Sequence, residues 1–277
     1  MNTSIKREIV IEPGSASKQY WRDLWFYREL FYFLAWRDIL VRYKQTVIGI
    51  AWSIVRPVIT MIIFTLVFGK LAKLPSGGVP YPILVFAGLL PWQFFSASLT
   101  ASSNSLVANA NMISKVYFPR IIVPASRIIV NLVDFVISIL ILALLMVWYK
   151  FVPDWRIMSI PVFLTLAMFA SLGCSLWLGA LNVKYRDISH LIPFIVQLGL
   201  YVSPVGFSSS IVPEKWRLLY SLNPMVGVID GFRWAIIGDN VYFYLPGVLI
   251  SLALTFVVFI SGLKHFRKTE RTFADYI

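Results

Sequence analysis

"RDILVRYKQTVIGIAWSIVRP", residues 37–57, carries four charges in its first eight positions and is then largely apolar, apart from Arg56 directly before Pro57. This stretch decides the fold, because it is a polar approach handing over to a membrane span, with one cation where hydrocarbon should begin. Composition agrees. Of 277 residues, 58% are hydrophobic and 14% charged, and mean hydropathy is +0.76. Soluble domains run at about 45–50% apolar and about 25% charged. The net charge of +12 sits beside apolar runs, where it meets anionic lipid and sets orientation. Nucleic acid is therefore not the expected partner.

Upstream, Tyr20, Trp21, Trp25, Phe31, Tyr32 and Trp36 recur at helical spacing among Arg22, Arg28, Arg37, Arg42 and Lys44. This pattern predicts an amphipathic helix in the headgroup layer, rings at the acyl boundary and cations toward phosphates. A soluble amphipathic helix packed on a partner fits the same residues. The first nineteen residues are polar and lack the apolar core and cleavage site of a signal peptide, so the N-terminus is expected to stay cytosolic. Cys174 is the sole cysteine, and His190 and His265 are isolated, so neither an intrachain disulfide nor a metal site is expected. No P-loop occurs, since Gly69-Lys70 is followed by Leu71. If ATP drives this chain, the ATP binds another subunit. No nucleophile-base or acid-base motif stands out, so no catalytic residue is assigned.

Downstream, six runs are long enough for a hydrocarbon layer that takes about 20 helical residues to cross. They lie near residues 47–70, 82–106, 127–149, 157–181, 188–206 and 245–264. Of the 25 basic residues, seventeen fall on the side of the termini and seven on the other, with Arg56 inside a span. The bias predicts both termini in the cytosol. The expected organisation is a cytosolic segment 1–46 with the interfacial helix, an all-α six-span domain 47–264, and a cytosolic tail 265–277. Residues 207–244 are too apolar for an exposed loop and too interrupted for two spans. PEKWRLLYSL and PMVGVIDGFRWAIIG read as short re-entrant or interfacial helices. Within the second, Asp230 and Arg233 stand three apart and can pair on one face; a surface cap fits as well.

Taken in order, RDILVRYKQTVIGIAWSIVRP, FTLVFGKLA (64–72), NANMISKVYFPRIIVP (109–124), NVKYRDI (182–188), NPMVGVIDGFRWAI (223–236) and the closing ERTFADYI resemble the transmembrane subunit of ABC-2 type polysaccharide exporters. The likeness covers nearly the whole chain. It implies a homodimeric channel in the cytoplasmic membrane, with two separate ATP-binding cassette subunits that hold ATP and Mg, and a lipid-linked polysaccharide such as O-antigen as substrate. It also implies a coupling helix between the second and third runs that docks on the ATPase. Asn109 and Asn111 would form turns or caps, Lys115 and Arg120 polar contacts, and Tyr117 and Phe118 apolar anchors, with Met112 and Ser114 beside them. Tyr185 and Arg186 would make a second contact. Residues 207–244 become an outer gate hinged at Asn223 and Pro224, with Asp230 and Arg233 in its second helix.

Arg56 has two readings. If the span starts near Val47, Arg56 lies about 13 Å into the layer and costs about 2.5–3.5 kcal/mol unpaired. Asp134, at comparable depth on the third run, is then the expected partner, or Arg56 lines the channel entrance. If Pro57 is the first helical residue, Arg56 snorkels at the interface. On the second run Gln93, Ser96, Thr100 and Ser103, with Asn104, form a stripe suited to sugar hydroxyls. Ala97, Ala101 and Ser105 give small-residue spacing for helix packing instead. Phe86, Trp92 and Tyr201 are candidate pore rings for stacking on sugars. Rival functions are an ABC-2 permease for drugs or small lipids, an intramembrane transferase, and a structural anchor.

Overall fold

A computed structural model describes residues 16–44 and 47–276. The polar stretch 1–15 and the boundary expected between residues 46 and 47 lie outside the described residues. Among these, all regular structure is helical. The helices are α1 (Ala16–Phe26), α2 (Arg28–Lys44), α3 (Val47–Phe64, widening into a π-helical turn at Thr65–Leu71), α4 (Tyr81–Ala108), α5 (Ala110–Ile113) and α6 (Ile122–Trp148). There follow α7 (Ile160–Lys184), α8 (Ile188–Val202), α9 (Glu214–Tyr220), α10 (Pro224–Ile237), α11 (Leu245–Thr269) and α12 (Phe273–Tyr276).

Prolines set several of the starts. Pro82, Pro161, Pro224 and Pro246 each fall in a first helical turn, where a missing N–H leaves nothing unpaired. Pro124 does the same for α6, which begins at Ile122, earlier than the apolar run alone suggested. Gly238, at φ +78, stops α10, a backbone conformation costly for any other residue type.

Among the described residues, five helices are long and apolar enough to cross a membrane. The run expected at 188–206 is not one of them. Pro204 forces the preceding residue away from helical dihedrals, and Ser203 is extended at ψ 150. Helix α8 thus ends at Val202 after 15 residues, about 22 Å of rise.

Helix α4 is the central post. Of its apolar window 78% is buried, against 11% for α3. It packs on α6, α7 and α10, with α3 and α8 beside it, while α11 lies against α7 and α10. The main core, built around Phe86, Phe94, Phe135, Phe163 and Phe232, fills the middle and one end. A second core joins Leu34, Leu106, Ile113, Phe118, Ile122, Val183, Phe266 and Phe273. We call the end holding α1, α2, α5 and α12 the base, and the opposite end, with α9 and α10, the crown. Residues 265–276, expected as a tail, are part of the second core through Phe266 and Phe273.

Candidate functional site

Along α4 the polar residues divide between two faces. Ser98, Ser102, Ser103 and Ser105 are buried. Ser102 donates to the Pro124 carbonyl of α6 at 2.8 Å, and the Ser103 carbonyl accepts from Asn182 of α7 at 3.2 Å. These are packing residues, so Ser103 leaves the expected stripe. Gln93, Ser96, Thr100 and Asn104 stay half-buried. Ser96, Thr100 and Asn104 donate back to their own helix, to Gln93, Ser96 and Thr100 carbonyls respectively. Their donors are satisfied at rest, and the hydroxyl oxygens remain acceptors. The two sequence readings of this helix, polar stripe and close packing, are each right for a different face.

The expected pore rings separate. Tyr201 is 62% exposed on α8, whereas Phe86 and Trp92 are 1% and 5% exposed. Phe86 belongs to the main core. Trp92 lies tilted against Phe95, ring centroids 5.6 Å apart, and packs against Gly199 of α8. Neither ring is presented to a channel in this conformation.

Arg56 does not meet Asp134. Its side chain is exposed. The Asp134 carboxylate instead takes the Arg42 guanidinium at 2.8 Å, the Ser53 hydroxyl at 2.8 Å, and the Tyr43 hydroxyl. Arg42 also reaches the Asn131 amide oxygen at 3.0 Å. One turn earlier on α2, Asp38 pairs with Arg127 at 3.0 Å. Helix α2 is thereby tied to α6 by its own charges, so the acid on α6 takes its cation from α2 and only a hydroxyl from α3. Burial and the neighbouring Asp134 push the Tyr43 phenol up to about 12, so it remains a donor at physiological pH.

At the base, Asn109 ends α4 and its amide donates to the Ser105 carbonyl at 2.8 Å. The segment after it exposes Asn111, Ser114, Lys115, Val116 and Tyr117, with Met112 half-buried. Tyr117 is 69% exposed; Phe118, expected as a second anchor, is 3% exposed and sits in the second core. Val116 takes its place as an exposed apolar neighbour, a position that an apolar residue flanked by Lys and Tyr could have flagged. Arg120 also turns inward. Its backbone N–H donates to Glu270 Oε1 at 2.8 Å and its guanidinium to the Glu270 carbonyl. Tyr20 donates to Glu270 Oε2 at 3.0 Å. One glutamate near the C-terminus thus joins α1 to the segment leading into α6. Glu270 opens the ERTFADYI motif, but nothing in the sequence pattern pointed to these partners. Tyr185 and Arg186, between α7 and α8, are exposed.

At the crown, Asn223 caps α10, accepting from Met225 N–H at 3.0 Å and donating to the Ser203 hydroxyl at 2.9 Å. The helix start read at Pro224 is matched, and the residues expected as a hinge are a capped junction between α9 and α10. Arg233 is 0% exposed. It donates to the Leu84 carbonyl at 3.2 Å, Val205 at 2.8 Å and Phe207 at 2.6 Å. Asp230 accepts from the Ser209 hydroxyl at 2.6 Å. The expected Asp230–Arg233 pair is therefore replaced by separate partners, because the 203–209 turn supplies a carbonyl pair to one and a hydroxyl to the other. A Cβ on Gly88 would stand 2.8 Å from Arg233 Nη2, so the guanidinium fits only over a glycine. Arg233 hooks α10 onto α4, the same helix whose other end carries the Asn109 segment.

A bundle of long apolar helices with a polar-edged central post, a half-exposed segment at one end and the buried helix α10 at the other is the architecture of a multi-pass membrane protein. Residues 29–237 match the ABC-2 type transporter family, and the chain belongs to it. It is 29% identical over 263 residues to the O-antigen export system permease protein RfbA of Myxococcus xanthus, covering 92% of this chain and 98% of that protein. A Klebsiella pneumoniae RfbA is 28% identical, covering 87% of this chain and 92% of the relative. The polysialic acid transport protein KpsM of Escherichia coli is 21% identical over 84% and 91%.

Proposed function

We propose that this chain is the channel-forming permease subunit of an exporter that moves a lipid-linked, O-antigen-like polysaccharide across the cytoplasmic membrane. The observation that carries this reading is its end-to-end likeness to O-antigen export permeases, which leaves almost none of the relative unmatched. The geometry supplies a mechanism. Two copies face each other across the α3–α4–α8 side, placing Gln93, Ser96, Thr100 and Asn104 along a wet path where amides and hydroxyls exchange hydrogen bonds with sugars. Arg56 and Tyr201 border that path.

Orientation follows the basic residues. Arg28, Arg37, Arg42, Lys115, Arg120, Lys184, Lys264 and Arg267 belong to base segments, so the base faces the cytosol, together with both termini. Helix α8 and the turn after it make the sixth crossing, and α9 and α10 dip in from the outside as a gate. A separate ATP-binding cassette subunit on each copy binds ATP and Mg, and docks on Asn111, Met112, Ser114, Lys115, Val116 and Tyr117. Movement there passes along α4, about 42 Å of continuous helix, to Leu84 and so to Arg233 and the gate. No bond in the glycan needs to break.

Deleting the gene tests the reading. Glycan is expected to accumulate inside the cell and vanish from the surface, with restoration by the full chain but not by Tyr117→Asp. Unchanged surface glycan, with altered drug sensitivity, would replace it with a small-molecule permease.

A further inference from the structure

The ends of α4 and α7 and the start of α8 enclose a cavity of about 330 Å³ at the base. Its walls are Asn104, Val107, Ala108, Asn182, Arg186 and Ser189. Asn104 is the last member of the half-exposed polar edge of α4, so the cavity opens where that edge reaches the base. Asn182 is buried, and its amide nitrogen is committed to the Ser103 carbonyl and to Asn104 Oδ1 at 3.2 and 3.0 Å. Among the described residues no donor reaches its own Oδ1. Ser189 donates to the Arg186 carbonyl at 2.7 Å, fixing the turn on which the arginine stands. The guanidinium itself is exposed and pairs with no acid among the described residues; Asp187, next in the chain, is exposed and is not part of the wall. The first turn of α8 adds the positive end of a helix dipole to the same wall. Val107 and Ala108 make the remainder apolar.

We infer that this cavity binds the phosphate-bearing head of the lipid-linked substrate, with Arg186 reading the phosphate. The inference rests on the export reading above and gives that substrate its loading point. A cation with a planar fork suits a phosphate oxygen pair. The Asn182 amide oxygen accepts a hydroxyl from the first sugar, and the Val107–Ala108 wall suits the start of the lipid chain. The volume falls in the range of pockets that hold compact ligands, about 300–1,000 Å³. Arg186, implied by resemblance as an ATPase contact, is thereby reassigned to the substrate.

The test uses full-length protein with its ATPase in phosphatidylcholine nanodiscs, and radiolabelled farnesyl diphosphate as the probe. Saturable binding is expected, displaced by inorganic diphosphate but not by farnesol. Arg186→Ala should weaken it about tenfold, the scale of one lost charge-assisted hydrogen bond, and Arg186→Lys less. Val107→Trp, which fills the cavity and leaves every charge in place, should abolish it. Wild-type affinity in Arg186→Ala, or equal competition by farnesol, overturns the assignment. So does equal competition when phosphatidylglycerol replaces phosphatidylcholine, since the site then belongs to membrane lipid. Loss of the ATPase from the Arg186→Ala complex also overturns it, making Arg186 a docking residue. The gene deletion tests the export reading separately, because surface glycan can fail to change while diphosphate binding is still measured in vitro.

Discussion

At the crown, Arg233 is wholly enclosed, has no carboxylate within ion-pair distance, and directs its donors to three backbone carbonyls from α4 and the 203–209 turn. At the base, Arg42 and Arg127 stay partly exposed and meet acids on other helices, while Arg120 meets Glu270. The difference is one of tolerance. A half-exposed ion pair can be remade with water when segments shift, so its loss is graded. A buried cation satisfied only by carbonyls has no such fallback, and disturbing it orphans every partner together. The base is therefore suited to small rearrangements against a docked subunit, and the crown to holding one closed arrangement until it gives way as a unit.

Breaking the crown should have the largest effect. Arg233→Ala leaves the Leu84, Val205 and Phe207 carbonyls without their donor inside the bundle, at about 1–3 kcal/mol each. Loss of most folded protein is expected, read as the monodisperse fraction after detergent extraction and as melting temperature. Gly88→Ala reaches the same place without changing a charge, because its methyl group would crowd the guanidinium and the Val205 carbonyl. A melting temperature within error of wild type in both variants would show that the hook is not what holds α10.

The base sharpens the contrast. Glu270→Ala removes the acceptor for the Arg120 backbone N–H and the Tyr20 hydroxyl, an expected cost of about 1.5–3 kcal/mol. Glu270→Gln keeps an amide oxygen for Arg120 and should recover part of it. Thermal unfolding ranks the two, and ATPase stimulation by the reconstituted permease shows whether the 114–120 segment has lost its position. Equal melting of Ala and Gln variants would mean the carboxylate is incidental.

Much of this was legible in the sequence. Apolar length located five of the helices, and Pro224 located the start of α10, since both depend on local chemistry. Pairings were not legible. Asp134 looked like a partner for Arg56 because depth along a span can be counted, but Arg42 lies on a helix whose docking against α6 no periodicity reveals. Phe118 read as an exposed anchor through the family resemblance; only packing with Phe266 and Phe273, far along the chain, buries it. Glu270 stood in the ERTFADYI motif, but its partners were hidden for the same reason, Arg120 lying 150 residues away and Tyr20 250.

The Arg42–Asp134 pair gives a smaller and cleaner test of that misreading. Its side chains are 42% and 23% exposed, so a coupling of about 1 kcal/mol or less is expected from a double-mutant cycle. The cycle Arg56→Ala with Asp134→Asn should return no coupling in melting temperature. A measurable Arg56–Asp134 coupling would restore the pairing that the sequence suggested.

The smallest effect belongs to the crown's surface, where Arg156 bonds Asp239 at 2.7 and 2.8 Å. This pair is the crown's counterpart of a base ion pair, and it should behave like one. The hydrogen bond from Arg156 holds the Asp239 carboxyl below the usual carboxylate range. A group with a depressed folded pKa stabilises above its unfolded value, about 3.9 for Asp, and loses that contribution as pH falls through the folded one. Asp239→Asn should therefore lower melting temperature slightly at neutral pH, and the deficit should close as pH falls below that range. Because both groups meet solvent, raising salt should shrink the deficit as well. A deficit that persists at low pH and high salt would place the contribution of Asp239 in packing, and would set this part of the crown beside Arg233 instead of beside the base.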